Sequence, residues 1–242
     1  MTSSLKLKRS FDRKVTNLAN QSGSKALIAN TFGLPSGKDY SCPEQTSVCE
    51  RICYAGKLEK IYPSVRNNLL HNWTLLTNTD RDGQYLLIKE MIDEFEEECN
   101  KRGAAKEFRI HWDGDFFTSD YTSAWASVVG ASKDISFWVY TRVPDAARTL
   151  AGISNLAVYF SADMDNKHHV PELMGHGVKI AFLAETFAEG KDNVKKLRGV
   201  PGAACPENSK QIPLITTSGG ACHTCGLCIT GKADIRFSVS KR

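Results

Sequence analysis

The chain has 242 residues, 31 Lys and Arg against 27 Asp and Glu for a formal charge of +4, and a hydrophobic fraction of 41%. This is the balance of an ordinary globular chain: the charge is too mild to mark a nucleic-acid binder, and no apolar run nears the roughly 20 residues of a membrane-spanning helix. The opening Met1 to Ser10 lacks the apolar stretch of a secretory signal, so a cytoplasmic location is expected.

Residues 1–24 carry Lys6, Lys8, Arg9, Arg13 and Lys14 and read as a solvated basic arm, with phosphate contact as the alternative. Lys25 to Thr31 reads as a first strand, followed by a cysteine loop over residues 41–56. Val65 to Thr77 and Tyr85 to Arg102 read as helices; in the second, Leu86, Leu87, Met91, Ile92 and Phe95 recur at helical spacing. Glu107 to Trp112 is a second strand. Asp120 to Val129 is a helix with Tyr121, Trp125 and Val128 on one face, and Ile135 to Tyr140 is a third strand. The next helix opens near Pro144, where proline suits a first turn. Leu156 to Phe160 and Val178 to Leu183 are strands, Asn193 to Leu197 suggests a helix, and Ala203 to Pro206 and Asp234 to Val239 are the last strands. Apolar strands separated by helices imply parallel βαβ units with right-handed crossovers. Six or seven such units predict one α/β domain over residues 1–242, a closed or partly open (β/α) barrel.

In such barrels the chemistry gathers at the C-terminal ends of the strands. Those ends carry His111-Trp-Asp-Gly-Asp115, Tyr140-Thr-Arg142, Ser161-Ala-Asp163 and Glu185. His111, Asp113 and Arg142 are the candidate catalytic residues, with Asp163 and Glu185 lining the same pocket. In an extended strand, positions 111, 113 and 115 point to one side, as an acid–base set or a hard-metal site requires. Arg142 could hold an anion or pair with a barrel carboxylate. For each residue alone, a cap, a turn or a core hydrogen bond is the plainer role.

Eight cysteines in a reducing compartment point to metal or catalysis before disulfides. Cys222-His-Thr-Cys225-Gly-Leu-Cys228 lets successive thiolates curl round one centre, and Cys205, beside Pro206, is the natural fourth ligand. Segment 205–228 therefore predicts a [4Fe-4S] cluster, with a four-thiolate zinc site as the alternative. Cys42, Cys49 and Cys53 form a second group. Three thiolates there would leave one iron open to a small molecule or anion, making a second cluster; zinc, or one site shared by both groups, are the other readings. Cys99, on a charged helix end, reads as a partly buried small side chain. His168, His169 and His223 read as solvated.

Cys42-Pro, Cys49, Cys53-Tyr-Ala55, Asn67-Asn-Leu-Leu70, Arg109 to Phe117, Tyr121 to Trp125, Phe137 to Arg142 and the terminal triplet run in the order seen in the gene product 88 family of phages and mobile elements. The chain resembles that family over most of its length. The resemblance implies a phage or mobile-element origin, hence a host-cell cytoplasm, together with metal-binding cysteines and a single domain; it supplies no reaction. More distantly, a cysteine triad after the first strand is similar in layout to radical S-adenosylmethionine barrels. Their spacing is C-x3-C-x2-C, where this chain has C-x6-C-x3-C. The function expected is a redox-active iron–sulfur protein with an electron-transfer partner. The alternative, from another class, is a zinc-stabilised nucleic-acid-binding protein with Lys6 to Lys14, Lys232, Arg236, Lys241 and Arg242 on phosphates.

Overall fold

Short apolar runs set between helices build a parallel sheet through the middle of the chain. The computed structural model describes residues 5–19 and 26–240. Its elements begin with β1 (Asn17–Leu18), β2 (Leu27–Ile28), β3 (Thr31–Gly33), α1 (Ser47–Ile52), α2 (Tyr54–Ile61), α3 (Pro63–Thr77) and α4 (Arg81–Arg102). The centre comprises β4 (Glu107–Asp113), α5 (Ser119–Ala131), β5 (Ser136–Thr141), α6 (Pro144–Leu150), β6 (Leu156–Ala162), α7 (Val170–Gly175), β7 (Lys179–Ala184) and α8 (Phe187–Arg198). The chain closes with β8 (Ala203–Ala204), β9 (Ile215–Thr216), β10 (Gly219–Gly220), α9 (Ala221–Cys225) and β11 (Ile235–Ser238).

Seven strands form one sheet in the order β3-β4-β5-β6-β7-β11-β8, with every neighbouring pair parallel. The α/β class is thus as expected, with β3 and β8 as the edges of the ladder. Four short strands, β2-β1-β10-β9, make a separate antiparallel sheet. It ties the start of the chain to the segment before the terminal cysteines.

The sheet has two distinct faces because its strands alternate. Phe108, Ile110, Phe137, Val139, Val158, Phe160, Ile180 and Phe182 join Ile88, Met91, Phe95, Trp125, Val128 and Val194 of the helices in one core. Each such buried side chain contributes about 1.5–3 kcal/mol, and Phe95 meets Phe108 edge-on at 5.0 Å. Trp138, Tyr140 and Tyr159, one position out of phase, face the other way, onto the cysteine segments. Helix α4 is set by its ends: Asp80 accepts from Gly83 N at 2.9 Å, and Gly103 closes it in the left-handed conformation with φ +63°.

The elements differ from expectation in three places. The first strand is divided between sheets at Asn30, whose buried amide donates to Val15 O (2.8 Å) and Glu107 O (3.0 Å) and turns the chain from β2 into β3. The last strand, β11, is inserted between β7 and β8; its Ile235 and Phe237 give it more to bury than the two alanines of β8. Residues 5–19 are docked where a solvated arm was expected. Leu7 and Val15 are buried, Lys6 pairs with Glu90 and Glu94, Arg9 with Glu98, and Lys14 with Glu207. Residues 1–4, 20–25 and 241–242, and with them Lys25, Lys241 and Arg242, lie outside the described residues. No helix among the described residues is long and apolar enough to cross a membrane.

Candidate metal centre

A cavity of about 560 Å³ opens on the sheet face that the main helices leave free. Cys42, Cys49, Cys53, Cys205, Cys222, Cys225 and Cys228 all line it, together with Arg109, His111, Asp113, Asp115, Tyr140 and Arg142. Cys99 does not. Its buried thiol points to Ala105 O at 3.7 Å, and burial pushes its pKa up to about 12.

The terminal cysteines reach the cavity by distinct local means. Cys205 follows β8, with its N–H donating to Arg236 O at 2.9 Å. Cys222 and Cys225 stand on the single turn of α9, entered by a bond from Cys222 N to Lys14 O at 2.8 Å. Gly226, at φ +66°, ends that turn and returns the chain to bring in Cys228. Cys222 and Cys228 pack on Trp138 and Val15, and Cys205 and Cys228 on Tyr159, Ala181 and Ile235. The Tyr159 hydroxyl donates to Leu227 O (3.3 Å) and Ala233 O (3.2 Å), fixing the loop that carries Cys228.

Burial pushes the Cys228 thiol up to about 12; a hydrogen bond with Tyr140 opposes this, and Cys205 and Cys225 add to it. Burial raises Cys222 as well, while Arg109 pulls it back. The Cys205 sulfur is raised by burial and lowered by the N–H groups of Asn208 and Glu207. Such a set is poor at holding free thiolates and well furnished with donors for metal-bound ones, because a metal deprotonates its thiol outright.

The first cysteine group hangs from the strand ends. Thr46 caps α1 by accepting from Cys49 N (3.1 Å), and its hydroxyl donates to the buried Asp163 carboxylate (2.6 Å). Ser47 donates to Asp165 (2.6 Å), and Arg51 pairs with Glu185. Because α1 buries no side chain, these polar contacts hold it over the cavity. Arg142 donates to Asp163 and also to the Cys49 sulfur. Cys53 caps α2, its sulfur accepting from Gly56 N at 3.3 Å. Burial, then Asp115, raises the Cys42 thiol, and the Gly37 N–H opposes them.

The strand-end polar residues divide. His111 takes a positive φ of 59° and breaks the extended run, and β4 spends four residues where β3 spends two. Its ring sits among Phe32, Phe116, Tyr121 and Trp125, with Nε2 at 2.8 Å from the Tyr121 hydroxyl; burial, then Arg109, lowers its pKa to about 3. Asp115 is fully bonded, accepting from Thr141 Oγ1 (2.6 Å), Phe116 N (2.8 Å) and Arg142 N (2.7 Å), and burial leaves it at about 6. Asp113 is raised to about 9, by burial and then by Glu59. Arg142 has the carboxylate partner expected of it, and Asp163 and Glu185 work as anchors for α1. His223 bonds Glu107 at 2.5 Å, and the His168 and His169 rings lie 4.1 Å apart, tilted by 40°.

Sequence reasoning missed Glu59, Arg109 and Thr46. The signal for Arg109 was a charge between Phe108 and Ile110 in an apolar strand; its guanidinium lies 5.2 Å from the Tyr140 ring and pairs with Asp12. Among the described residues, no group of three or more His, Cys, Asp or Glu side chains is arranged to hold a single metal ion.

The family model described as Gene product 88 matches residues 5–231. Two curated relatives, the Gene 88 proteins of Mycobacterium phage L5 and Mycobacterium phage D29, are each 47% identical to the chain over 242 residues, covering 98% of the chain and 99% of the relative. No solved structure matches it.

Proposed function

We propose that this chain, which belongs to the Gene product 88 family, is a redox-active iron–sulfur protein in which Cys205, Cys222, Cys225 and Cys228 hold one [4Fe-4S] cluster. The observation that carries this reading is the meeting of seven cysteines from three chain segments on one cavity. The N–H and O–H donors at Cys53, Cys205 and Cys228 support it, since hydrogen bonds to ligand sulfurs are a main means of tuning a cluster.

The proposal extends to Cys42, Cys49 and Cys53, which would hold a second cluster with three thiolates and so leave one iron free for a small molecule or anion, with Arg142 lining the same cavity. When bound, a cluster supplies one-electron transfer. The chain's residues bury the sulfurs, set their donors and place Arg142 and Asp113 beside the open space. The cavity is lined from β4, β5, β6, β7 and β11, which supports a sheet curved as a partly open barrel with β3 and β8 at its lips. Against the nucleic-acid alternative, Lys6, Arg9 and Lys14 are engaged with glutamates of the chain itself.

Iron and acid-labile sulfide should be counted per chain after anaerobic purification, for the natural chain and for Cys225→Ala and Cys49→Ala. Separate centres predict that each variant loses one complement and keeps the other. A colourless protein with stoichiometric zinc in place of iron overturns the reading.

A further inference from the structure

Helices α1 and α2 follow one another through the first cysteine group yet bury almost nothing: α1 has no buried residue, and α2 has Ala55 alone. On α2, Tyr54, Lys57 and Ile61 recur at three- and four-residue spacing and so share one face, with Lys60 beside them. Tyr54 is 46% exposed, Ile61 63% and Tyr62, at the turn into α3, 52%. Lys57, Lys60 and Arg66 are exposed as well, and among the described residues none of the three pairs with an acid. Elsewhere Lys6, Arg9, Arg148 and Arg198 each have a carboxylate partner. From Arg51 to Thr79 the chain carries four basic residues against one acid, Glu59, which is held by Ser36 N at 2.9 Å and by the Ser36 hydroxyl. This face runs into the cavity, because Ile52, Cys53, Tyr54 and Lys57 line its wall. Tyr54 is fixed at that border: its hydroxyl donates to Trp112 O at 3.0 Å, and Lys14 Nζ stands 5.5 Å over its ring.

We propose that the exposed face of α2 and its turn into α3 docks a small acidic electron-donor protein, with Tyr54, Ile61 and Tyr62 as the apolar centre and Lys57, Lys60 and Arg66 as the basic rim. An apolar, aromatic centre inside a charged rim is the anatomy of a protein–protein contact. Unpaired positive charge round it steers a partner of opposite sign and repels one of the same sign. That excludes a second copy of this chain, since a two-fold contact would set the same basic rim against itself. A nucleic-acid strand would stack its bases on the tyrosines but has no use for the aliphatic Ile61, the most exposed of the three apolar residues. A patch of two helical turns is the size of a transient encounter, which suits a partner that binds and leaves. Docked there, the partner stands against the border of the cavity at Cys53. Its role as an electron donor rests on the iron–sulfur reading; the docking rests on the face alone.

The test is binding of a fluorescently labelled acidic ferredoxin to the full chain, followed by anisotropy. The proteins compared are the natural chain, Ile61→Asp, the double variant Lys57→Glu with Lys60→Glu, and a control, Lys195→Glu with Lys196→Glu, which makes the same charge change on the exposed side of α8. The natural chain should bind at about 50 mM salt and lose affinity about tenfold or more by about 200 mM. Ile61→Asp and the Lys57/Lys60 variant should each weaken binding on the order of tenfold, while the α8 control binds as the natural chain does. All the altered residues are exposed, so the urea midpoint should be the same in the four proteins. No binding by the natural chain, or equal binding by all four, overturns the proposal. Binding of a labelled 20-base single strand in place of ferredoxin, lost in the same variants, assigns the face to nucleic acid and overturns the acidic protein. Iron is counted in the same preparations: a natural chain without iron that still docks ferredoxin through Lys57, Lys60 and Ile61 overturns the parent reading and upholds the docking face.

Discussion

Asp163 joins the cysteine helix α1 to the sheet, and its removal has a size that can be worked out. The carboxylate is fully buried and accepts from Arg142, from Thr46 Oγ1 (2.6 Å) and from Asp165 N (2.9 Å). Asp163→Ala leaves the Arg142 guanidinium, 11% exposed, without its counter-charge. Removing one partner of a buried pair costs about 3–5 kcal/mol, a large share of the roughly 5–15 kcal/mol that holds a domain folded. Urea unfolding followed by tryptophan fluorescence should show that loss as a lower midpoint at an unchanged slope. Replacing both partners, as Arg142→Met with Asp163→Leu, should recover most of it, since the penalty belongs to the orphaned charge. Loosening of α1 should also speed alkylation of Cys49 relative to Cys99. A loss under about 1 kcal/mol, the size of an exposed pair, or a double variant as unstable as the single one, refutes the reasoning.

His111 titrates near 6.5 when unfolded but near 3 in the fold, so the unfolded chain takes up a proton first as pH falls. Stability is thus lost below pH 6.5, by about 2 kcal/mol at pH 5, and His111→Gln should remove that part of the acid dependence in urea titrations across this range. Gly114 lies at φ +81°, and a Cβ there would stand 2.4 Å from Ser41 Oγ and 2.8 Å from Leu34 Cβ. Gly114→Ala should lower stability by about 1–3 kcal/mol and perturb the Cys42 loop, seen as a changed alkylation rate of Cys42. Tyr159→Phe removes a hydroxyl that serves two carbonyls of the terminal cysteine loop. It should destabilise the protein by about 1 kcal/mol and speed iron loss to a chelator.

The central strands and helices were legible because β5, β6 and β7 are short apolar runs set between helical patterns and α4 carries both caps. The edges were not, for reasons that lie far along the chain. Asn30 divides the first strand through bonds to Val15 and Glu107. Lys6 and Arg9 find their partners about 80 to 90 residues away on α4. The two cysteine groups stood out by spacing and residue type, and their meeting on one cavity was foreseen only as a consequence of strand order. Glu59 gave no signal, because α2 is a short helix whose one buried residue is Ala55. The bulge at His111 was equally hidden: nothing in His111-Trp-Asp-Gly-Asp115 marks His111, rather than Gly114 alone, as taking a positive φ.

The measurement that bears most directly on the central claim is low-temperature electron paramagnetic resonance of anaerobically purified protein reduced with dithionite, read beside its visible spectrum and iron content. The account predicts a brown protein whose broad visible absorbance bleaches on reduction, with a reduced-cluster signal that Cys225→Ala abolishes. A silent, colourless protein carrying one zinc per chain would contradict it.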